Sequence, residues 1–328
     1  MKKILLLSTG GTIASRTAGN GFVPAAEAED LLCLIPELKD LCEVRYATLM
    51  NLDSSNIQPE EWADMASAVF RALSVCDGVV ITHGTDTMAY SSAALAYMLQ
   101  NLNKPVIFTG AQIPIEEPDT DGKRNLKDAF SAAVDGRLAG VYIVFDGSII
   151  SGICAKKVYS KNRHAFESIN RKPVGEIVEG VVSLYDTSER LIDGPLTLNA
   201  NFDSSVLLVK LTPGSSSAIL DAAVSLGYKA VVIEAFGLGG IPNVRRNLLP
   251  SIRRLTAQKI PVVVTTQCVY DGCDLGIYHV GVSAVEAGVV SAGNMTTEAA
   301  VVKLMWILGE TTNFDQIIER FCKGEHGL

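Results

Sequence analysis

The sequence predicts an α/β protein of two domains, each built on a mostly parallel sheet. Three observations predict it. Short apolar runs such as Ile4-Leu5-Leu6-Leu7 and Val79-Val80-Ile81 end at Gly-containing loops and are followed by helical periodicity. This alternation of strand and helix patterns occurs as two series along the chain. A polar, turn-rich stretch containing Asp193-Gly194-Pro195 and Asn199-Ala200-Asn201 separates the series. The expected division is a first domain over residues 1–187, a linker over 188–205 and a second domain over 206–328.

In the first series, strand patterns fall at residues 3–7, 43–47, 78–81, 106–109 and 141–145. A helix is expected over 59–73. Pro59 suits its first position, and Glu60 and Glu61 suit the positive end of the helix dipole. Trp62, Met65, Val69, Phe70 and Leu73 recur on one face of it. Further helices are expected over 88–99, rich in Ala and Leu, and over 123–134, after Asp121-Gly122. In the second series the strands are 206–210, 230–234 and 262–265. Its helices are 216–226, 247–257, 282–287, 297–308 and 314–322. No repeat at solenoid spacing and no low-complexity segment interrupts the pattern.

Composition narrows the function classes. Apolar residues make up 48% and charged residues 20%, as in an ordinary globular protein. A net charge of −8, with no run of Lys or Arg, argues against a nucleic-acid or membrane-surface partner. Met1-Lys2-Lys3 before four apolar residues imitates a secretory signal. The run stops at Ser8-Thr9-Gly10-Gly11, short of the roughly 7–15 apolar residues a signal needs, so it reads as a first core strand. No stretch approaches the roughly 20 apolar residues of a membrane span.

The seven cysteines (Cys33, Cys42, Cys76, Cys154, Cys268, Cys273 and Cys322) show no C-x-x-C pair. Several have apolar neighbours, as in Leu31-Leu32-Cys33-Leu34, so they read as buried reduced thiols of a cytosolic protein. His83, His164, His279 and His326 have no ligand spacing, and neither a metal nor a cofactor is expected.

Two threonines in similar settings are the chemical signal. Thr12 follows the first strand in Gly10-Gly11-Thr12-Ile13-Ala14, and Thr85 follows the third in Thr82-His83-Gly84-Thr85-Asp86-Thr87. Ligands of open α/β sheets bind outside the carboxyl ends of such strands. The first loop matches neither G-x-G-x-x-G nor G-x-x-x-x-G-K-[ST]. Its backbone N–H groups suit an oxyanion as well as a phosphate. Thr12 reads either as a nucleophile or as a helix N-cap. Thr87 is the natural cap of the helix after the second loop, which leaves Thr85 and Asp86 for other work. His83 reads as hydrogen-bonded support for that loop.

These residues carry a family resemblance. Gly10-Gly11-Thr12-Ile13-Ala14 together with Thr82-His83-Gly84-Thr85-Asp86-Thr87-Met88 resembles the two signatures of bacterial-type L-asparaginases. Asp53-Ser54-Ser55 before Pro59 resembles that family's substrate-binding turn. Thr109-Gly110-Ala111-Gln112-Ile113-Pro114, Asp121-Gly122 and Asn125-Leu126 resemble its cytoplasmic, type I branch. So do Gly237-Leu238-Gly239-Gly240-Ile241-Pro242-Asn243, Thr265-Thr266-Gln267 and Asn294-Met295-Thr296-Thr297-Glu298-Ala299.

The resemblance implies a larger N-terminal doubly wound domain and a smaller flavodoxin-like C-terminal domain, assembled as a homodimer or homotetramer. It implies hydrolysis of L-asparagine to L-aspartate and ammonia through a threonine-bound β-aspartyl ester. Thr12 would be the nucleophile. Thr85, Asp86 and Lys157 would activate it or the attacking water, with Lys156 as the fallback lysine. Ser54, Ser55 and Asp86 would hold the substrate's α-carboxylate and α-ammonium, and Ala111 would line the pocket by its backbone. Residues 15–24, with Gly19 and Gly21, would form a mobile lid. The family usually places a tyrosine there; the aligned residue here is Phe22, which has no hydroxyl.

A threonine hydroxyl needs a base at neutral pH. Burial favours a neutral Lys157, while Asp86 beside it favours the charged form. The substrate's ammonium, competing for Asp86, is expected to tip that balance.

Two other functions share these motifs. One is an ammonia-generating subunit of a tRNA-dependent amidotransferase, which usually carries an extra N-terminal module. Here Met1 lies two residues before the first strand, which argues against it. The other is an asparagine sensor without turnover, against which the full Thr12, Thr85, Asp86 and Lys157 set argues. Type I relatives can carry an allosteric asparagine site, and Cys268 lies where that branch places part of it, or is a core thiol.

Overall fold

The computed structural model describes residues 1–18, 21–24, 27–185 and 194–323. The chain forms two compact units, Met1–Ala200 and Asn201–Glu325.

The first unit is built on an eight-stranded sheet. Across it lie Glu43–Leu52, Lys3–Gly10, Gly78–Thr82, Pro105–Thr109 and Gly140–Phe145, all parallel, then Ser148–Ser151, Gly175–Val178 and Val181–Leu184, all antiparallel. In chain order the parallel strands run 2-1-3-4-5. The first connection leaves Lys3–Gly10 in one direction and the later ones go the other way. The switch point therefore lies between Lys3–Gly10 and Gly78–Thr82. Diverging connections leave a crevice beyond the carboxyl ends of these two strands, and both threonine loops open into it.

The helices Ala28–Cys33, Leu38–Leu41 and Gly122–Asp135 cover one face, where Leu31, Leu38, Leu126 and Phe130 pack on Ile4, Leu6, Val80 and Ile107. Pro59–Ala72 and Met88–Met98 pack together on the other face, joined by the Trp62 indole donating to Ser91 Oγ at 3.0 Å. The crossovers through Met88–Met98 and through Gly122–Asp135 step the same way along the sheet, yet their helices lie on opposite faces. They are therefore of opposite hand, and the crossover through Gly122–Asp135 is left-handed, a rare arrangement. It places Asp121, at the start of that helix, beneath the loop that follows Pro105–Thr109.

The second unit has four parallel strands in sequential order: Val206–Lys210, Ala230–Ala235, Val262–Thr266 and Val290–Ser291. Leu220, Ile252, Leu255 and Ala284 cover one face, from three crossover helices. Leu304 and Ile307 of Thr297–Glu310 and Ile317 and Phe321 of Phe314–Cys322 cover the other. Side-chain caps start these last two helices: Thr296 accepts from Ala299 N at 3.1 Å and Asn313 from Gln316 N at 3.0 Å. Both units are thus α/β with mostly parallel sheets, as the sequence predicts.

Differences are local. The helix expected over 216–226 is confined to Ala218–Ala222. The helix expected over 88–99 stops at Met98, because Leu99–Gln100 pairs with Thr197–Leu198, from the segment expected to be a linker. The antiparallel strands 148–151, 175–178 and 181–184 were not expected. Among the described residues no helix is long and apolar enough to cross a membrane.

Candidate active site

The strand Lys3–Gly10 runs into a 3-10 turn at Thr12–Ala14, and Gly78–Thr82 leads through residues 83–87 into the helix Met88–Met98. Gly10 and Gly11 have φ of 102° and 79°, a conformation that favours glycine. The Gly11 N–H donates to Leu52 O at 3.0 Å. This corrects the expectation for Gly11 alone, whose N–H is held by the neighbouring strand and does not face an oxyanion. The glycine instead permits close approach: any side chain at Gly11 would overlap the backbone of Gly84. A methyl group at Gly84 would lie 2.6 Å from Ser54 Oγ. Three loops, bearing Thr12, Ser54 and Thr85, therefore converge on two glycines.

Thr12 is half-buried at the first position of its turn, and Gly11 holds the cap position, so the N-cap alternative for Thr12 does not hold. Thr87 stands at the cap of Met88–Met98 as expected, but its hydroxyl donates to Ser54 O at 2.8 Å instead of accepting from a helix N–H. It ties the second threonine loop to the Ser54 turn. That turn is itself capped by Asp53 Oδ1, which accepts from Ser55 N at 2.8 Å. Ser54 is buried and Ser55 exposed.

The ionic part of the site is a lysine bridging a hydroxyl and a carboxylate. Lys157 Nζ donates to Thr85 Oγ1 and to Asp86 Oδ1, each at 2.7 Å. Lys157, not its neighbour Lys156, makes this contact. It ends the strand Ala155–Lys157, opposite Phe166, whose buried ring packs on Phe145. The lysine side chain is 15% exposed and the Asp86 side chain 62%, so the carboxylate is open to a further cation.

Thr85 Oγ1 also lies 3.3 Å from Gln112 Oε1. Gln112 Nε2 donates to Asn162 O at 3.0 Å and Tyr159 O at 3.4 Å. The backbone N–H groups of Gln112 and Ile113 donate to the Asp121 carboxylate at 3.0–3.1 Å. Neither Gln112 nor Asp121 has a site role that could be read from the sequence. Gln112 sits in the type I motif, and Asp121 reads as an ordinary helix-start residue.

His83 is fully buried, with Nδ1 2.7 Å from Gly84 O and its ring edge-on to Phe108. Burial holds its pKa down to about 4 against an ordinary 6.5, so the ring is neutral and donates from Nδ1 to the loop. That agrees with a supporting role.

The remaining expected residues are dispersed. Ala111 is buried among the core residues that include Ile13. Gly21 and Phe22 belong to a hairpin in which Gly21–Pro24 pairs with Ser15–Ala18, Phe22 opposite Thr17. Gly19 lies outside the described residues. Cys268 is exposed in the second unit, its N–H donating to Thr266 Oγ1 at 3.0 Å. The core-thiol alternative for it fails. Cys33 and Cys322 are exposed as well, while Cys42, Cys76, Cys154 and Cys273 are buried. Cys33 misleads because Leu31 turns the apolar face of its short helix inward and leaves Cys33 on the opposite side. Among the described residues no group of three or more His, Cys, Asp or Glu is placed to hold a metal ion.

The family model "Asparaginase, N-terminal" matches residues 3–190, and "Glutaminase/Asparaginase C-terminal domain" matches residues 205–321. The chain belongs to the asparaginase family. It is 42% identical to an L-asparaginase of Thermococcus kodakarensis, over 98% of each chain. It is 36% identical to a glutamyl-tRNA(Gln) amidotransferase subunit of Pyrococcus abyssi, over 97% of this chain and 74% of that one. The solved thermostable L-asparaginase from Thermococcus kodakarensis superposes with a TM-score of 0.92 at 40% identity, covering 99% of this chain and 98% of that one. L-asparaginase I from Vibrio cholerae gives 0.88 at 28% identity, covering 99% and 98%. Within this asparaginase-family chain, Thr12, Ser54, Thr85, Asp86 and Lys157 all lie in the first unit.

Proposed function

We propose that this chain hydrolyses L-asparagine to L-aspartate and ammonia, with Thr12 as the nucleophile and Thr85, Lys157 and Asp86 as the proton relay. The observation that carries the reading is Lys157 Nζ at 2.7 Å from both Thr85 Oγ1 and Asp86 Oδ1, on a loop in backbone contact with the Thr12 loop. The 42% identity to an L-asparaginase supports the choice of substrate.

In the first step Thr12 Oγ attacks the side-chain amide carbon. Its proton passes toward Thr85 and on to a neutral Lys157, and the amide nitrogen leaves as ammonia after taking up a proton. The product on the enzyme is a β-aspartyl ester. Water then attacks the ester, the relay takes the water proton, and Thr12 recovers its own as aspartate departs. Asp86 has two duties in this scheme. In the resting site it accepts from Lys157 Nζ at 2.7 Å. Its exposed carboxylate then receives the substrate's α-ammonium, which competes with Lys157 for it. Ser54 and Ser55 bind the α-carboxylate, and the Ala111 backbone lines the pocket. The paired strands Ser15–Ala18 and Gly21–Pro24 close over it, and Phe22 offers no phenol as a rival base.

The seven free thiols support a reducing, cytoplasmic setting. The same reading takes the working form as a homodimer or homotetramer, checked by light scattering, and assigns a role to Cys268 only if asparagine dependence is sigmoidal. The 36% identity to an amidotransferase subunit keeps a second reading, ammonia supply to a partner subunit, which co-purification with such a partner would support.

The test is ammonia release from asparagine with aspartate measured in parallel. Equal amounts of both are expected, and Lys157→Met should lower turnover at least about a hundredfold. Binding of asparagine without ammonia release would replace this reading by the sensor.

A further inference from the structure

We propose that Gln112 is a positioning residue that fixes the direction of the Thr85 hydroxyl and thereby the polarity of the relay. The inference rests on the reading given under Proposed function. A glutamine amide presents two donors on nitrogen and an acceptor on oxygen. Gln112 Nε2 faces two backbone carbonyls, Asn162 O at 3.0 Å and Tyr159 O at 3.4 Å. Carbonyls only accept, so the nitrogen must lie there and Oε1 must face Thr85, as it does at 3.3 Å.

The Thr85 hydroxyl has one proton and two acceptor positions. With Oε1 unable to donate, that proton goes to Gln112. One acceptor position then takes the proton of Lys157 Nζ at 2.7 Å, and the other is left facing the crevice. In this arrangement Thr85 offers a lone pair, never a proton, to an incoming hydroxyl. When Lys157 is neutral, the Thr85 proton turns from Oε1 to Nζ, and Oγ1 takes the proton of the nucleophile or water in exchange. Thr85 Oγ1 gains one proton and loses one, and Lys157 ends as the ammonium.

The amide itself is held still. The Asp121 carboxylate grips the Gln112 and Ile113 N–H groups, and Asn125 Nδ2 in turn donates to Asp121 Oδ2 at 3.2 Å. The loop that offers the two carbonyls is fastened by Arg163 Nη2 donating to Asp119 O at 2.5 Å and by His164 Nδ1 beside Asp146 Oδ2 at 3.1 Å.

The experiment compares Gln112→Met and Gln112→Leu, alone and combined with Thr85→Val. A β-aspartyl hydroxamate serves as substrate so that slow variants remain measurable. Each single Gln112 variant should lower kcat about tenfold, the weight of one hydrogen bond, with KM within about twofold and an unchanged thermal melt. In the Thr85→Val background the same replacements should have no further effect on kcat, because the hydroxyl they orient is gone. Losses that multiply in the double variants, or a rise in KM at constant kcat, would overturn the proposal. Full activity of Thr85→Val with Gln112 intact would instead overturn the relay on which it rests. If one Gln112 variant melts early, the other decides.

Discussion

Replacing His83 by Gln should remove a specific, opposed part of the protein's acid sensitivity. His83 is buried beside the Thr85 loop, and its pKa is held at about 4 against an ordinary 6.5. The unfolded chain therefore binds a proton between about pH 6.5 and 4 that the folded chain refuses. The stability that the neutral ring contributes is complete above pH 6.5 and is lost as pH falls toward 4. At about 1.4 kcal/mol per pH unit the interval is worth roughly 3 kcal/mol. Asp128 acts in the opposite sense. Its largely buried carboxyl is pushed up from 3.8 to about 6 by desolvation, against the pull of Arg124 and Lys127. The folded state binds the extra proton there, so its contribution is present below pH 3.8 and is lost as pH rises through 6, again by roughly 3 kcal/mol. The two windows overlap between about pH 4 and 6 and nearly cancel, so the wild-type profile alone conceals both. The difference between wild type and His83→Gln isolates one. Urea unfolding at pH 7, 5.5 and 4 measures it. Trp62 reports on the first unit if Trp306, the only other tryptophan, is changed to Phe in both proteins. The wild type should lose roughly 3 kcal/mol relative to the variant from pH 7 to pH 4, and Asp128→Asn should give the mirror-image slope. Parallel curves for wild type and His83→Gln would refute the buried, neutral histidine.

Thr85→Val should cut turnover of asparagine by at least about a thousandfold while aspartate still binds by calorimetry. Near-normal turnover would remove Thr85 from the relay. Gly84→Ala should lower kcat with little effect on overall melting, because the added methyl, 2.6 Å from Ser54 Oγ, must push apart the loops that hold the site; steady-state kinetics and a melt decide it. With a substrate analogue lacking the α-amino group, kcat should fall, since Asp86 then keeps its contact with Lys157. An equal kcat for analogue and asparagine would contradict the competition for Asp86. Glutamine, longer by one methylene, should be discriminated by about 1–3 kcal/mol in kcat/KM, measured in parallel titrations.

The central parallel strands were readable because burial on both faces makes them continuous apolar runs, and Val79-Val80-Ile81 is an example that is wholly buried. The antiparallel edge of the first sheet was missed although its turns are spelled out. Asp146-Gly147 and Glu179-Gly180 both have positive φ at two successive residues, as two-residue hairpins require. Those strands are short and only partly buried, so periodicity gave no signal. The opposite hand of the crossover through Gly122–Asp135 leaves no local trace, since hand depends on which face the helix finds. In the site, Thr12, Thr85 and Asp86 were legible from their place at strand exits. Lys157 was legible only through resemblance, because it reaches Thr85 from a hairpin 72 residues further along the chain. Gln112 and Asp121 stood out only as members of family-like motifs, with no role attached, since their contacts are hydrogen bonds across loops. Gly11 was legible as a glycine that matters but not for its reason, which is contact with Gly84.

The central claim, that Thr12 attacks while Thr85 relays the proton, is tested most directly by trapping the intermediate. The enzyme is mixed with labelled asparagine, quenched rapidly in acid and digested, and the label is located by peptide mass. An ester on the peptide bearing Thr12, formed as fast as ammonia is released, is the expected result. Label on the Thr85 peptide, or rapid ammonia release with no ester at any time, would contradict the account.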